Sequence, residues 1–481
     1  MLFPTFSFAV FFIIVFTVSW ALHKHEVPWK LFLLFASYYF YACWNVKYTI
    51  LIFSITTINY VLAWGVYKSV SHIRAKLILT LAVFISLGTL GYFKYYSFFF
   101  ESLNSFIAYS GAKYQFTVGD TLAIVGISFF TFQAISYTVD VYRESVTPDI
   151  SIKGYLDFLV YISFFPQLVA GPIVRAKVFI PQLQKGVFHG IPDIHMAMSL
   201  ILSGLFKKVI ISTYLQVHLV DNVFATPLNH SPIEVLLGIY GFSVQIFCDF
   251  SGYSDIAIGC AMLLGIRFPD NFRNPYKANN IRDFWQRWHI TLSTWLRDYL
   301  YIPLGGNRMG ERKTMINLFL TMLLGGLWHG ASLSFIVWGS LHGLFLVFHH
   351  IYENFYIKTF SSNFFLHKYR DLYNKVCIFL TFHLISFLWV FFYHRNLDSA
   401  LDVFKGLFNF NKSVGPIEVY VILCIIIGIA IHFKGKKIRD MYLNFHTKAP
   451  FYLNIGLDAA IFISIIKLSP DIIPPFLYFQ F

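Results

Sequence analysis

Two histidines stand where histidine is costly to place. His329 lies in the run Leu327-Trp328-His329-Gly330, after Gly325 and Gly326 and before Ala331 and Ser332, in a stretch (314–350) that is otherwise nearly all apolar or small. His289 ends the run Phe284-Trp285-Gln286-Arg287-Trp288-His289, among aromatic residues one step inside a charged zone. Ionisable groups at membrane depth are rare; they face a bundle interior or a water-filled cavity and pair with something there. A neutral imidazole is the natural base for activating an acceptor hydroxyl, and burial favours that neutral form. The same rings, set among small residues, would also serve as hydrogen-bonding glue between helices. Asp249 and Asp255 pose a second question, because carboxylates in an apolar run need partners or water. They would either take a direct part in binding or cap helices broken at Gly252.

The elements that position these residues are membrane helices. The chain has 481 residues, 57% of them hydrophobic and 13% charged, with a mean hydropathy of +0.62, which excludes a set of soluble domains. Aromatic residues are 20% of the chain, suited to lipid-facing surfaces and interfacial belts. The formal net charge of +13 would suggest nucleic acid in a soluble protein. Here the basic residues sit in short loops between apolar runs, the positive-inside pattern, with anionic headgroups of membrane lipid as their partners. Nucleic-acid binding is excluded, because no basic face has base-stacking spacing. Five cysteines, Cys43, Cys248, Cys260, Cys377 and Cys424, are scattered singly and imply neither a disulfide framework nor a zinc site. The histidines lack a ligand-spaced third partner, so no metal is expected.

A helical crossing takes about 20 mostly apolar residues. That length predicts crossings over residues 2–22, 28–44, 48–67, 76–100, 121–142, 196–220, 376–393, 417–433 and 451–467. The first lacks a basic leader region and reads as a retained helix. Residues 154–172 contain Phe165-Pro166-Gln167 and Ala170-Gly171-Pro172, which predict a bent or re-entrant element. Lys207 and Lys208 are expected to snorkel or to mark an interfacial half-helix. Residues 233–266 are too long for one straight crossing. Residues 281–299, which mix Trp285, Trp288 and Trp295 with charge, predict one amphipathic helix. Residues 314–350 predict a buried hairpin or two half-helices meeting near His329. The sum is an all-α polytopic membrane protein with roughly ten crossings and two or three re-entrant pieces. Basic loops at Lys68, Arg74 and Lys76, at Arg308, Arg312 and Lys313, at Lys368, Arg370 and Lys375, and over 434–439 put both termini outside the cytoplasm.

The runs Arg273-Asn274-Pro275-Tyr276, Asp283-Phe284-Trp285-Gln286-Arg287-Trp288-His289 and Trp295-Leu296-Arg297-Asp298-Tyr299-Leu300-Tyr301-Ile302-Pro303-Leu304-Gly305-Gly306-Asn307 together resemble the membrane-bound O-acyltransferase (MBOAT) superfamily. Gly126-Ile127-Ser128-Phe129-Phe130-Thr131-Phe132-Gln133, Cys248-Asp249-Phe250-Ser251-Gly252-Tyr253-Ser254-Asp255, Leu327-Trp328-His329-Gly330 and the tail Pro475-Phe476-Leu477-Tyr478-Phe479-Gln480-Phe481 agree. The likeness is closer to the bacterial alginate O-acetyltransferase branch than to the D-alanyl transferases of teichoic acids. It implies one integral-membrane domain over 1–481, with N-terminal helices to 120 and a motif-bearing core over 121–481, built around a central tunnel. It implies that His329 is the catalytic histidine and His289 the second one, which would orient the thioester carbonyl or stabilise the developing oxyanion. The donor it implies is acetyl-CoA, with no permanently bound cofactor. Trp285, Trp288 and Trp328 would line the site, Arg273, Lys277, Arg282 and Arg287 would attract the donor's phosphates, and Asp249 and Asp255 would assist binding. The acceptor it implies is an extracytoplasmic polysaccharide reached through an SGNH-hydrolase-like or similar partner, with the enzyme in the bacterial cytoplasmic (inner) membrane. Two alternatives remain at this level: transfer of D-alanine or another acyl group from a carrier-protein thioester, and transport of a polysaccharide or lipid intermediate without transfer.

Overall fold

A computed structural model describes residues 3–111, 114–119, 124–185, 193–360, 370–470 and 473–477. Among the described residues the regular structure is entirely helical. Eight helices there are long and apolar enough to cross a membrane, with the shorter apolar helix Phe6–Leu22 beside them, close to the expected count. The last four residues of the tail motif and the basic residue Lys368 lie outside the described residues.

The chain forms two units: Met1–Ala197 with Ala257–Pro269, and Met198–Ile256 with Asp270–Phe481. In the first, the expected bend is present. Helix Ile152–Ser163 stops at Phe164, and a single turn, Phe165–Leu168, follows with Pro166 at its start, where proline costs no hydrogen bond. The Ser37 hydroxyl accepts from the Phe165 backbone N–H, and the Phe165 ring packs on Phe11 and Phe40. Lys30 is buried against Asp157 at 2.5 Å and Glu26 at 2.8 Å.

The second unit holds both histidines. Its central feature is a helical hairpin, Glu311–His329 and Leu333–Phe360, turning at Gly330-Ala331-Ser332, as the small residues around His329 predict. The two arms touch backbone to backbone. A Cβ on Gly339 would stand 2.6 Å from the Met322 carbonyl oxygen, one on Gly326 would stand 2.5 Å from that of Phe335, and one on Gly343 would stand 3.1 Å from the Phe319 Cα. Helix approach of this kind needs small residues at the crossing, and Gly339 and Gly343 supply them four apart.

Three expectations are corrected. Helix Pro232–Leu263 runs unbroken through Gly252; that glycine instead permits close approach to Gly204, whose carbonyl oxygen would lie 2.7 Å from its Cβ. Lys207 and Lys208 do not snorkel. They lie in a π-helical stretch, Phe206–Ser212, within Ile194–Ala225, and both are buried in ion pairs. Residues 281–299 are not one helix: Ile281–Arg287 and Ile290–Leu296 are separated at Trp288 and His289.

Gly339→Val should destabilise the protein by about 1–3 kcal/mol or more, because the obstructing atoms are backbone and cannot rotate away. Thermal unfolding in detergent followed by size-exclusion fluorescence checks this; an unchanged midpoint would show that the arms do not depend on the contact.

Candidate active site

His289 occupies the break between its two short helices with φ 42° and ψ 55°. A left-handed conformation is unusual for a residue with a side chain, and such strain persists only where the surroundings over-determine it. Asn271 supplies that determination. Its backbone carbonyl accepts from the Ile290 N–H at 2.9 Å. Its side-chain oxygen accepts from the Thr291 N–H at 3.3 Å and the Thr291 hydroxyl at 2.9 Å, while its amide nitrogen donates to Ser254 at 3.1 Å. A backbone N–H can only donate, so the amide orientation is settled. The Nδ1 of His289, 3.1 Å from the same Asn271 oxygen, must therefore be the protonated nitrogen. The neutral ring then carries its lone pair on Nε2.

His329 is the last residue of the first hairpin arm and is buried. Its ring meets Trp338 and Phe392 edge to face, each at 5.2 Å between centroids, and its neighbour Trp328 at 5.0 Å. The Trp328 indole is also 6.3 Å from the His289 ring. One tryptophan thus links the two histidines that lie on separate elements. Phe250 closes on His289 edge to face at 4.6 Å.

The other sequence-picked residues divide into three groups. Trp285 and Trp288 belong to the aromatic cluster: Trp285 packs on Trp338 at 5.8 Å, and Trp288 on Trp389 at 4.8 Å. Trp295 packs on Tyr299. The basic residues form a partly exposed rim in which Arg273 pairs with Asp270, Arg287 with Asp283 and Arg282 with Glu353, while Lys277 lies over the Phe433 ring at 5.2 Å. Arg273 and Arg287 are adjacent, joined by a backbone hydrogen bond from the first to the second.

Asp249 and Asp255 are buried or nearly so and are held by lysines. Lys207 pairs with Asp255, and Lys208 with Asp249, both at 2.5 Å. The second oxygen of Asp249 accepts from the Leu477 N–H at 2.8 Å, and Phe476 stacks on Tyr253 at 4.6 Å. The arrangement ties the tail segment to the Pro232–Leu263 helix, and Phe250, one residue beyond Asp249, is the ring that meets both Phe476 and His289.

Asn271, Trp338, His342, Trp389 and Phe392 went unnoticed in the sequence. Trp338 and His342 had a readable signal, a tryptophan and a histidine four apart in an apolar stretch. Asn271 had none, since its role depends on a fold-made contact across 18 residues.

The geometry of the second unit is that of a helical membrane protein in which one buried indole lies between two imidazoles. The family follows from comparison: the membrane-bound O-acyltransferase (MBOAT) model matches residues 115–394, and the chain belongs to that family. It is 38% identical over 94% of both chains to the Pseudomonas putida protein named "Probable alginate O-acetylase AlgI". It is 37% identical to the "Peptidoglycan O-acetyltransferase" of Helicobacter pylori, over 79% of this chain and 74% of that one. A "Teichoic acid D-alanyltransferase" of Bacillus subtilis is 30% identical over 55% of this chain and 67% of its own. The protein is therefore a membrane-bound O-acyltransferase.

Asn271→Leu should leave His289 without its orienting acceptor and lower acyl transfer by roughly 5- to 150-fold, the order expected for about 1–3 kcal/mol from a broken buried hydrogen bond. The double variant with His289→Ala should be no slower than His289→Ala alone, since both changes remove one unit. Additive losses in the transfer assay would separate Asn271 from the histidine.

Proposed function

We propose that this enzyme takes an acetyl group from cytoplasmic acetyl-CoA and moves it across the inner membrane for O-acetylation of an extracytoplasmic polysaccharide, with His329 as the general base. The observation that carries the reading is the placement of His329: it ends a glycine-packed hairpin arm inside an aromatic cage and shares Trp328 with His289. The names of the O-acetylating relatives support acetyl as the group and a glycan as the acceptor.

In the step proposed, an acceptor hydroxyl loses its proton to His329 as its oxygen attacks the thioester carbonyl carbon. The carbon–sulfur bond then breaks, and the thiolate leaves with that proton. His289, whose Nε2 carries a lone pair, orients the acceptor by accepting from a second polar hydrogen on it, which leaves the reacting O–H to His329. This tautomer disfavours the alternative role of His289 as the donor to an oxyanion. The rim of Arg273, Lys277, Arg282 and Arg287 draws in the phosphates of the donor, which exchange for the carboxylates that three of these residues now hold. The same basic loops support a cytoplasmic rim and extracytoplasmic termini. An SGNH-like or similar extracytoplasmic partner completes delivery to the polymer.

Protein in nanodiscs, given radiolabelled acetyl-CoA alone and with such a partner and its glycan, should release CoA when the acceptor is present. His329→Ala should lower the rate by about 10²–10⁴, the usual contribution of a general base, with acetyl-CoA binding retained. His289→Ala should fall by a smaller factor. Rates equal to wild type in both variants would overturn the assignment. Wild-type inactivity toward acetyl-CoA together with turnover of a D-alanyl carrier-protein thioester would favour the chemistry named for the teichoic acid relative.

A further inference from the structure

The second hairpin arm carries three buried polar groups on one stripe, Ser334, Trp338 and His342, spaced four apart so that they lie on one face of the helix. Among the described residues, the Ser334 hydroxyl, the Trp338 indole nitrogen and the His342 Nε2 have no hydrogen-bond partner. Buried polar groups are paired in the great majority of cases, and each exception calls for a reason such as a catalytic role or a bound group. Three in succession on one helical face are hard to attribute to chance.

The protonation of His342 is determined by its neighbour. The Trp285 indole N–H, which can only donate, points at His342 Nδ1 from 3.2 Å. Nδ1 therefore holds the lone pair, and the neutral ring carries its proton on Nε2. Trp338 Nε1 is likewise only a donor. The stripe thus presents two N–H groups one helical turn apart. It stands beside the proposed base: the Trp338 ring is 5.2 Å from that of His329 and 4.6 Å from that of His342.

We infer that Trp338 and His342 form the oxyanion-binding wall of the acyl-transfer site, with Ser334 extending it by one turn. The inference rests on the acetyl-CoA reading given above. In the step concerned, the acceptor oxygen forms a bond to the thioester carbonyl carbon, its proton passes to His329, and the carbonyl π pair moves onto the carbonyl oxygen. The Nε1–H of Trp338 and the Nε2–H of His342 donate to that oxygen. When the pair returns to re-form the carbonyl, the carbon–sulfur bond breaks and the thiolate takes the proton from His329. Donors already in place inside a water-poor cage need no reorganisation as the charge develops, which is where such groups contribute most.

Trp338→Phe keeps a ring and removes the N–H; His342→Leu keeps much of the volume and removes the donor; His342→Gln retains an amide N–H near the Nε2 position. CoA release from acetyl-CoA in nanodiscs supplied with the extracytoplasmic partner and its glycan, acetyl-CoA binding and thermal unfolding are measured for each. Trp338→Phe and His342→Leu should each lower kcat by about 10²–10³, the loss typical of one oxyanion donor, with KM for acetyl-CoA nearly unchanged. His342→Gln should recover at least tenfold of the loss seen in His342→Leu. The inference is overturned if Trp338→Phe and His342→Leu keep wild-type kcat, or if His342→Gln is as slow as His342→Leu with the same drop in unfolding temperature, which is the signature of packing alone. Wild-type protein that releases no CoA defeats the acetyl-CoA reading and this inference together, whereas an active wild type with unaffected stripe variants defeats the inference only.

Discussion

Inside a helix bundle surrounded by lipid, a polar group cannot fall back on bulk water, and the second unit is organised by that constraint. An unpaired amide or hydroxyl costs a few kcal/mol in such a setting, and an unpaired charge costs more. Lys207 and Lys208 answer it by pairing with Asp255 and Asp249, and Asp249 uses its other oxygen on the backbone of Leu477. Asn271 answers it with both ends of its amide and its own carbonyl. Groups that satisfy the constraint within the fold build a frame. Among the described residues the N–H groups on the face of the second hairpin arm do not satisfy it, and they lie next to His329, the proposed base.

The frame requires close backbone approach as well as pairing. Gly326, Gly339 and Gly343 bring the hairpin arms together, and Gly204 and Gly252 do the same for the helices that carry the lysine and aspartate pairs. In lipid the helices gain little from hydrophobic exclusion, so packing at small residues and buried polar contacts must hold them. The two devices are coupled here. The glycine crossing places Ile194–Ala225 against Pro232–Leu263, and the π-helical stretch on the first of these helices carries both lysines to the carboxylates of the second. Phe250 then leads from this framework to the His289 ring.

Much of this was legible in the sequence, and the failures share a cause. The helical spans, the bend at Pro166 and the hairpin turn beside His329 follow from residue type and local spacing, which the chain displays directly. The break at His289 does not, because Trp285, Trp288 and Trp295 continue a helical pattern across it. Only the hydrogen bonds from Asn271 show why the backbone turns left-handed there. The lysines misled in the opposite direction: beside apolar residues they resemble snorkelling side chains, and only the fold reveals carboxylates within 2.5 Å. Gly252 read as a break because its neighbours are polar, whereas its use is to admit another backbone. In each case the deciding partner lies far along the chain.

The buried histidines of the cluster also show how one side chain can be given opposite tasks. His289 and His342 are both fully enclosed rings, and each meets a neighbour at Nδ1. At His289 that partner is an oxygen held as an acceptor by the Thr291 N–H, so the ring donates from Nδ1 and offers a lone pair at Nε2. At His342 the partner is an indole N–H, so the ring accepts at Nδ1 and offers a proton at Nε2. The difference lies wholly in the neighbours, Asn271 in one case and Trp285 in the other. In the acyl transfer proposed above the acceptor's proton goes to His329, so the lone pair of His289 is left to orient the acceptor and the N–H of His342 to meet the developing negative oxygen. Both tasks are met by neutral rings, and charging either one inside this cage would incur the desolvation cost that the rest of the unit is built to avoid.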